Sequence, residues 1–339
     1  MANIVRIRQF GAPEGLSIDD IDLGEPQAGE VKLAVKAIGL NRADALLRQN
    51  RYIETPTLPS RLSYDAAAEV IAVGEGVANV AVGDRVMTIP AFSQADYGVC
   101  GEEAIVPAHA LWPWPEALSA AEAACVGVQY ATAFFALSTI GELGAGDAVL
   151  LTAATGGVGF AAIEVAKALG ATAIATTRKR SKADALLDAG ADYAIVTSEE
   201  DLVTRVLDIT DHRGVKLVFD AIAGQTIPSL MECLQPLGRC IVYGILDATD
   251  PVLPLLAMLA KGISLHTYSV FAFTGLPKLD LSPQPEAVAA AREFLVPRLA
   301  DGRLKPRISE TFPLSEAIAA HHALESNQQT GKIVLTVSD

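Results

Sequence analysis

Gly156, Gly157 and Gly159 sit where an apolar run beginning at Ala148 gives way to an Ala-rich amphipathic stretch reaching Ile163. Glycine there removes side chains from a place where backbone must approach a pyrophosphate. The N–H groups of a helix starting near Val158 would face that anion with a favourable dipole. A second apolar strand, Ala171 to Thr177, completes a strand–helix–strand unit, so the turn reads as a dinucleotide site. Ala153, Thr155, Gly156, Gly157 and Val158 are the candidate contacts, although Ala153-x-x-Gly156-x-x-Gly159 departs from a strict G-x-G-x-x-G.

The end of the second strand bears on the choice of dinucleotide. An NAD site places Asp or Glu there to accept the ribose hydroxyls, whereas this chain reads Thr177-Arg178-Lys179-Arg180-Ser181-Lys182. Arg178 and Lys182 suit a 2'-phosphate, and Thr177 or Ser181 can hydrogen-bond it. NADPH is therefore the expected cofactor.

These residues need a scaffold, and two patterns supply it. Between Gly146 and about Phe271, apolar strands alternate with helices. Val149 to Ala153, Thr172 to Thr176, Tyr193 to Val196, Lys216 to Asp220, Cys240 to Tyr243 and Ser264 to Tyr268 predict a six-stranded doubly wound α/β sheet. Before Trp114, short alternating strands at Glu30 to Ile38, Ala68 to Val73 and Arg85 to Ile89 predict a small, mostly antiparallel β domain. Helices over Pro285 to Asp301 and Ser315 to Ser326, then a strand from Gly331 to Val337, return to that first character. The expected domains are 1–122 with 300–339, and an inserted nucleotide-binding domain at 123–299.

Composition narrows the partners. Of 339 residues, 40 are acidic and 26 basic, and the net charge of -14 repels nucleic acid and anionic membrane, so neither is expected as a partner. The uncharged stretch Ala123 to Gly141 approaches membrane-span length, but Gln129, Tyr130, Thr132, Ser138 and Thr139 interrupt it, and a buried helix is expected. With no secretory signal visible at Met1 to Arg8, cytoplasm is the expected location. Cys100, Cys125, Cys233 and Cys240 form no C-x-x-C and read as free buried thiols. The five histidines form neither a metal nor a triad pattern.

Gly39-Leu-Asn-Arg-Ala-Asp44, Val73-Gly-Glu-Gly-Val77, Val82-Gly-Asp-Arg-Val86, Asp220-Ala-Ile-Ala-Gly224 and Ser326 to Lys332, together with the glycine turn, resemble the medium-chain dehydrogenase/reductase superfamily over nearly the whole chain. The resemblance implies a GroES-like β domain beside a Rossmann domain. The superfamily's zinc alcohol dehydrogenases carry a metal-binding Cys at the position of Asn41 and a His at that of Tyr64. Both ligands are missing here, and no bound metal is expected. What remains similar is the zinc-free quinone oxidoreductase branch, zeta-crystallin-like, which implies hydride transfer from NADPH to a quinone or an activated α,β-unsaturated carbonyl. Asn41, Tyr52 and Tyr64 are the candidate catalytic residues. Asn41 would bond the substrate carbonyl or nicotinamide ribose, and Tyr52 would donate to the developing oxyanion, with Tyr64 the alternative donor. The resemblance also assigns Thr132 to the nicotinamide end, Ser269, Val270 and Phe271 to the carboxamide, and Lys332 to a cationic position near the cofactor. Tyr243 and Gly244 end a strand on the cofactor side.

Two other readings stay open at this point. One is an enoyl-thioester reductase acting on 2-enoyl-CoA or an acyl carrier protein; the other is an NADPH-binding structural or regulatory protein with little turnover. A homodimer is expected through the edge strand Ser264 to Tyr268.

Overall fold

The structure, a computed structural model, describes residues 1–337 and divides into two compact units, one of residues 1–131 and those from 270 on, the other of residues 132–269. The return to the first unit falls at Val270, against the 299/300 boundary expected from sequence, because the helix Pro285–Ala300 packs on the short helix Phe271–Thr274 of that unit. The first break likewise lies at 131/132 instead of 122/123.

In the second unit six strands pair in parallel in the order Tyr193–Val196, Thr172–Thr177, Ala148–Leu151, Val215–Asp220, Leu234–Val242 and Ser264–Thr267. Numbered along the chain, that is the doubly wound order 3-2-1-4-5-6, whose direction of winding reverses between Ala148–Leu151 and Val215–Asp220. These strands are buried on both faces, with Leu150, Ile174, Val218 and Cys240 in one core cluster, which is why they read as unbroken apolar runs without alternation. The first strand stops at Leu151, two residues before its expected end, because Ala153 turns into the left-handed region at φ 46°. Helix Gly157–Ala168 follows directly.

The uncharged stretch 123–141 is not one helix. Ala120–Ala123 ends a short helix, Gly127–Phe134 forms a second, and Phe135–Ile140 widens into a π-helical turn. Among the described residues no helix is long and apolar enough to cross a membrane. All four cysteines are free and buried.

The first unit is built on a sheet ordered Ile308–Pro313, Lys332–Thr336, Glu30–Leu40, Asp65–Val73, Arg85–Thr88 and Leu111–Pro113, with Glu103–Pro107 also pairing on Glu30–Leu40. All but the outermost pair, Ile308–Pro313 with Lys332–Thr336, are antiparallel. Register brings three polar residues to one end of it. Leu40 lies opposite Ile333, so Asn41 continues toward Lys332, and Gly39 lies opposite Asp65. Trp112 and Trp114 are both buried in this unit, and the Arg85 guanidinium lies 3.7 Å from the Trp114 ring centre.

Candidate active site

The glycine turn takes the geometry its residue types imply. Gly156 is extended at the N-cap of helix Gly157–Ala168, and a Cβ there would meet only the Ala153 carbonyl oxygen at 3.7 Å. Its lack of a side chain is therefore not a demand of the protein's own packing. At Gly159 a Cβ would lie 2.4 Å from the Ala154 carbonyl oxygen, so that glycine lets the helix pack closely on the preceding turn. Ala153, Thr155, Gly157 and Val158 are all partly exposed around the turn.

Beyond Thr177, which is buried at its strand end, the cations gather. Arg180 pairs with Glu199, and the Ser198 hydroxyl donates to the Arg178 carbonyl oxygen at 2.8 Å, holding the loop. The Arg178 guanidinium is exposed and makes no hydrogen bond or ion pair among the described residues. Partial burial lowers the Lys182 pKa, and the positive charges of Lys179 and Arg178 lower it further. Such mutual repulsion is relieved by an anion, so the residues present fit a phosphate. Between the two central strand ends, buried Asp220 accepts from the Thr152 hydroxyl and from the N–H groups of Ala223 at 2.7 Å and Ile222 at 3.1 Å. Tyr243 stacks on Phe219 with ring centres 4.0 Å apart, and Gly244 lets the chain pass Ala221, whose carbonyl oxygen a Cβ would approach to 2.8 Å. Thr132 is buried in helix Gly127–Phe134, and Ser269 is partly exposed just after the last strand.

In the first unit Asn41 ends a strand and opens helix Arg42–Arg48, where its N–H donates to the Asp44 carboxylate at 2.7 Å. Its side-chain amide donates to Asp65 at 3.0 Å and to the Gly39 carbonyl oxygen at 3.3 Å, while its oxygen accepts from the Lys332 ammonium at 2.7 Å. Lys332 also reaches Asp65 at 2.7 Å, and the other Asp65 oxygen accepts the Val128 N–H at 2.8 Å. Asn41, Asp65 and Lys332 are 8%, 1% and 3% exposed. Gly39 and Gly127 make the knot possible, since a Cβ would lie 2.7 Å from the Lys332 side chain in the first case and 2.6 Å from Asp65 in the second. Both amide hydrogens of Asn41 are thus directed at protein oxygens, which leaves it no donor for a substrate carbonyl in this arrangement. Lys332, expected near the cofactor, is folded into the same knot. Burial pushes the Asp44 carboxyl up to about 7, against the pull of the Asn41 N–H and of Lys332.

The tyrosines form a second cluster. Tyr64, 1% exposed, is ringed by Tyr52, Phe92 and Phe271 with ring centres 6.5, 5.6 and 5.5 Å away. Phe271 and the neighbouring buried Val270, expected at the carboxamide, thus belong to this unit, where the Phe271 ring packs on Tyr64. The Tyr64 hydroxyl donates to Glu54 at 3.2 Å and also interacts with that of half-buried Tyr52. Burial raises both phenol pKa values. Sequence reasoning missed Glu54, Ser93 and the structural parts of Asp44 and Asp65. Glu54 had a signal, since it lies two residues after Tyr52. Among the described residues no group of three His, Cys, Asp or Glu side chains could hold a metal, and Asn41 and Tyr64 offer no zinc ligands of the usual type, so a catalytic zinc does not fit.

A six-stranded nucleotide sheet inserted into an antiparallel β unit is the construction of two-domain dehydrogenases and reductases. Residues 27–116 match the alcohol dehydrogenase GroES-like domain, and residues 157–280 match the zinc-binding dehydrogenase domain. The chain is 32% identical to quinone oxidoreductase of Pseudomonas aeruginosa, covering 99% of each. It is also 32% identical to a phenolphthiocerol/phthiocerol polyketide synthase of Mycobacterium tuberculosis, of which it spans 15% with 98% of its own length. The structure of Escherichia coli quinone oxidoreductase complexed with NADPH superposes with a TM-score of 0.86 at 29% identity, covering 99% of this chain and 100% of that one. The chain belongs to the quinone oxidoreductase family of the medium-chain dehydrogenase/reductase superfamily.

Proposed function

We propose that this protein is an NADPH-dependent, zinc-independent reductase of quinones or activated enones. The observation that carries the reading is the pairing of a cation cluster at the second strand end with a non-ligating Asn41 and Tyr64. The first favours a 2'-phosphate, and the second removes the metal that would deprotonate an alcohol. NADPH supplies the hydride when bound. The Ala153–Val158 turn would hold its pyrophosphate, with Arg178, Lys182 and Thr177 on its 2'-phosphate. Tyr52, the half-buried member of the tyrosine pair, donates a hydrogen bond and then a proton to the oxyanion that hydride arrival creates. Asn41 acts by fixing the strand end and the helix beneath it.

A second reading is favoured by the 32% identity to a polyketide synthase segment, namely reduction of an enoyl thioester. NADPH oxidation measured with benzoquinone, a short enone and an enoyl-CoA separates the alternatives. Reduction of the first two with little of the third is expected. Exclusive use of the thioester would transfer the protein to the second reading, and binding of NADPH without reduction of any acceptor would make it a binding protein.

A second copy of the chain is the proposed partner. The strand Ser264–Thr267 ends the sheet of its unit, and in the chain just before it Ile245, Leu255, Leu256 and Leu259 are exposed, with no residue of helix Leu255–Lys261 buried. Sedimentation at micromolar concentration should give twice the 35.5 kDa chain mass, and a monomer would refute the pairing.

A further inference from the structure

Glu54 is a buried carboxylate that the reaction proposed above does not use. Its side chain is 2% exposed, in the irregular segment after helix Arg42–Arg48. One oxygen accepts the Tyr64 hydroxyl at 3.2 Å, and the other accepts the Ser93 hydroxyl at 2.6 Å. The second oxygen also lies 3.9 Å from the Lys278 ammonium, which is bonded to Asp96 at 2.8 Å. Lys278 and Asp96 are 40% and 51% exposed. Four segments, at 52–54, 64, 93–96 and 278, therefore meet to place a half-buried phenol, a buried phenol, a buried carboxylate and a part-exposed ammonium in series. Burying a carboxylate is costly when its closest cation stands beyond hydrogen-bond distance, and a purely structural acceptor need carry no charge.

We propose that Glu54 is a relay residue that reloads the tyrosine donor, passing protons from Lys278 through Tyr64 to Tyr52. The inference rests on the enone-reductase reading. As the hydride forms a C–H bond at the β carbon, the C=C pair moves toward the carbonyl oxygen. The Tyr52 O–H bond breaks and its proton neutralises the enolate. The Tyr52 phenolate then takes the Tyr64 proton, the Glu54 carboxylate takes a proton from the Lys278 ammonium and passes it to the Tyr64 phenolate, and the neutral lysine is reprotonated from water. Rotation of the carboxyl exchanges the oxygen facing Lys278 with the one facing Tyr64, and the exposed lysine closes the 3.9 Å gap by swinging inward. One solvent proton enters per turnover and no further reductant is needed. Interaction with Tyr64 lowers the Tyr52 pKa against the larger effect of burial, which favours loss of the proton from the outer member of the pair. The charged and titratable groups around the chain are Tyr52, Tyr64, Lys278 and Asp96, with Asp44 acting on Tyr52.

The test compares an enone with benzoquinone in the wild-type protein, Glu54→Gln and Lys278→Met. A quinol anion can leave and be protonated in water, so only the enone depends strongly on the relay. Both variants should lower the ratio of enone kcat to quinone kcat, Glu54→Gln by at least ~10-fold, with KM nearly unchanged and the solvent deuterium isotope effect on enone kcat raised. Small acids such as imidazolium should restore part of the loss. Equal loss on both acceptors, or an unchanged isotope effect in a folded Glu54→Gln, would reduce Glu54 to a structural anchor. If that variant does not fold, Lys278→Met decides alone, since it alters an exposed side chain. Failure of the wild-type protein to reduce either acceptor overturns the reductase reading itself and the relay with it, an outcome visible before any variant is made.

Discussion

The two units prepare for chemistry in opposite ways. In the second, the groups suited to a ligand are backbone at a turn and exposed cations, and the Arg178 guanidinium has no partner among the described residues. In the first, Asn41, Asp65, Lys332, Tyr64 and Glu54 are buried and hydrogen-bonded to each other or to neighbouring side chains and backbone. A surface that awaits an anion is electrostatically strained until the anion arrives. A buried knot is satisfied beforehand and fixes the position of what projects from it. Substitutions in the Asn41–Asp65–Lys332 knot should therefore register as stability, and those among the exposed cations of the second unit as ligand preference.

The largest effect is expected at Lys332. Lys332→Met strands the Asp65 carboxylate in the interior, and denaturant unfolding should show a loss of about 3–5 kcal/mol. Adding Asp65→Asn removes the stranded charge and should recover most of it. A single variant as stable as the parent would show the knot to be energetically neutral.

Asp44 gives a pH-dependent version of the same contrast. Its carboxyl is raised in the folded chain, so the folded state keeps a proton that the unfolded state releases at ordinary carboxylate pH. The associated stability is full below about pH 4 and is lost as pH rises to about 7. Asp44→Asn should flatten unfolding free energy over that window, changing the difference between its ends by on the order of 2 to 4 kcal/mol. An unchanged slope would mean that Asp44 is ionised throughout.

The smallest effect belongs to the exposed cations. Arg178→Ala should leave the melting temperature unchanged and reduce the preference for NADPH over NADH about tenfold, the worth of one charge-assisted contact. Equal affinities in the unmutated protein would end the contrast from the other side.

The same division explains what the sequence made legible. The turn at 153–159 and the cations at 178–182 are local, and each follows directly from the end of an apolar strand, so residue type and spacing suffice to find them. The six-stranded doubly wound class of the sheet also followed from strand count and alternation, while the order of its strands came from the structure. The knot was not legible as a knot, because its hydrogen bonds join Lys332 to Asn41 and Asp65 across 291 and 267 residues. Only strand register brings them together, and a single chain pattern does not specify register between its two ends. Asn41 and Tyr64 were singled out by the absence of metal ligands, while what they touch had to come from the structure. Phe271 was placed by its strand end, yet its ring answers to Tyr64, which lies in a segment more than two hundred positions earlier.

Both tryptophans of the chain, Trp112 and Trp114, lie in the first unit, and residues 132–269 contain none. Selectively excited tryptophan emission, free of Tyr193, Tyr243 and Tyr268 of the other unit, is therefore a private signal of the antiparallel unit. A fluorescence melt follows that unit alone, whereas calorimetry follows both. Coincidence of the two midpoints would mark a single cooperative transition, and their separation would measure how independently the halves of this chain come apart.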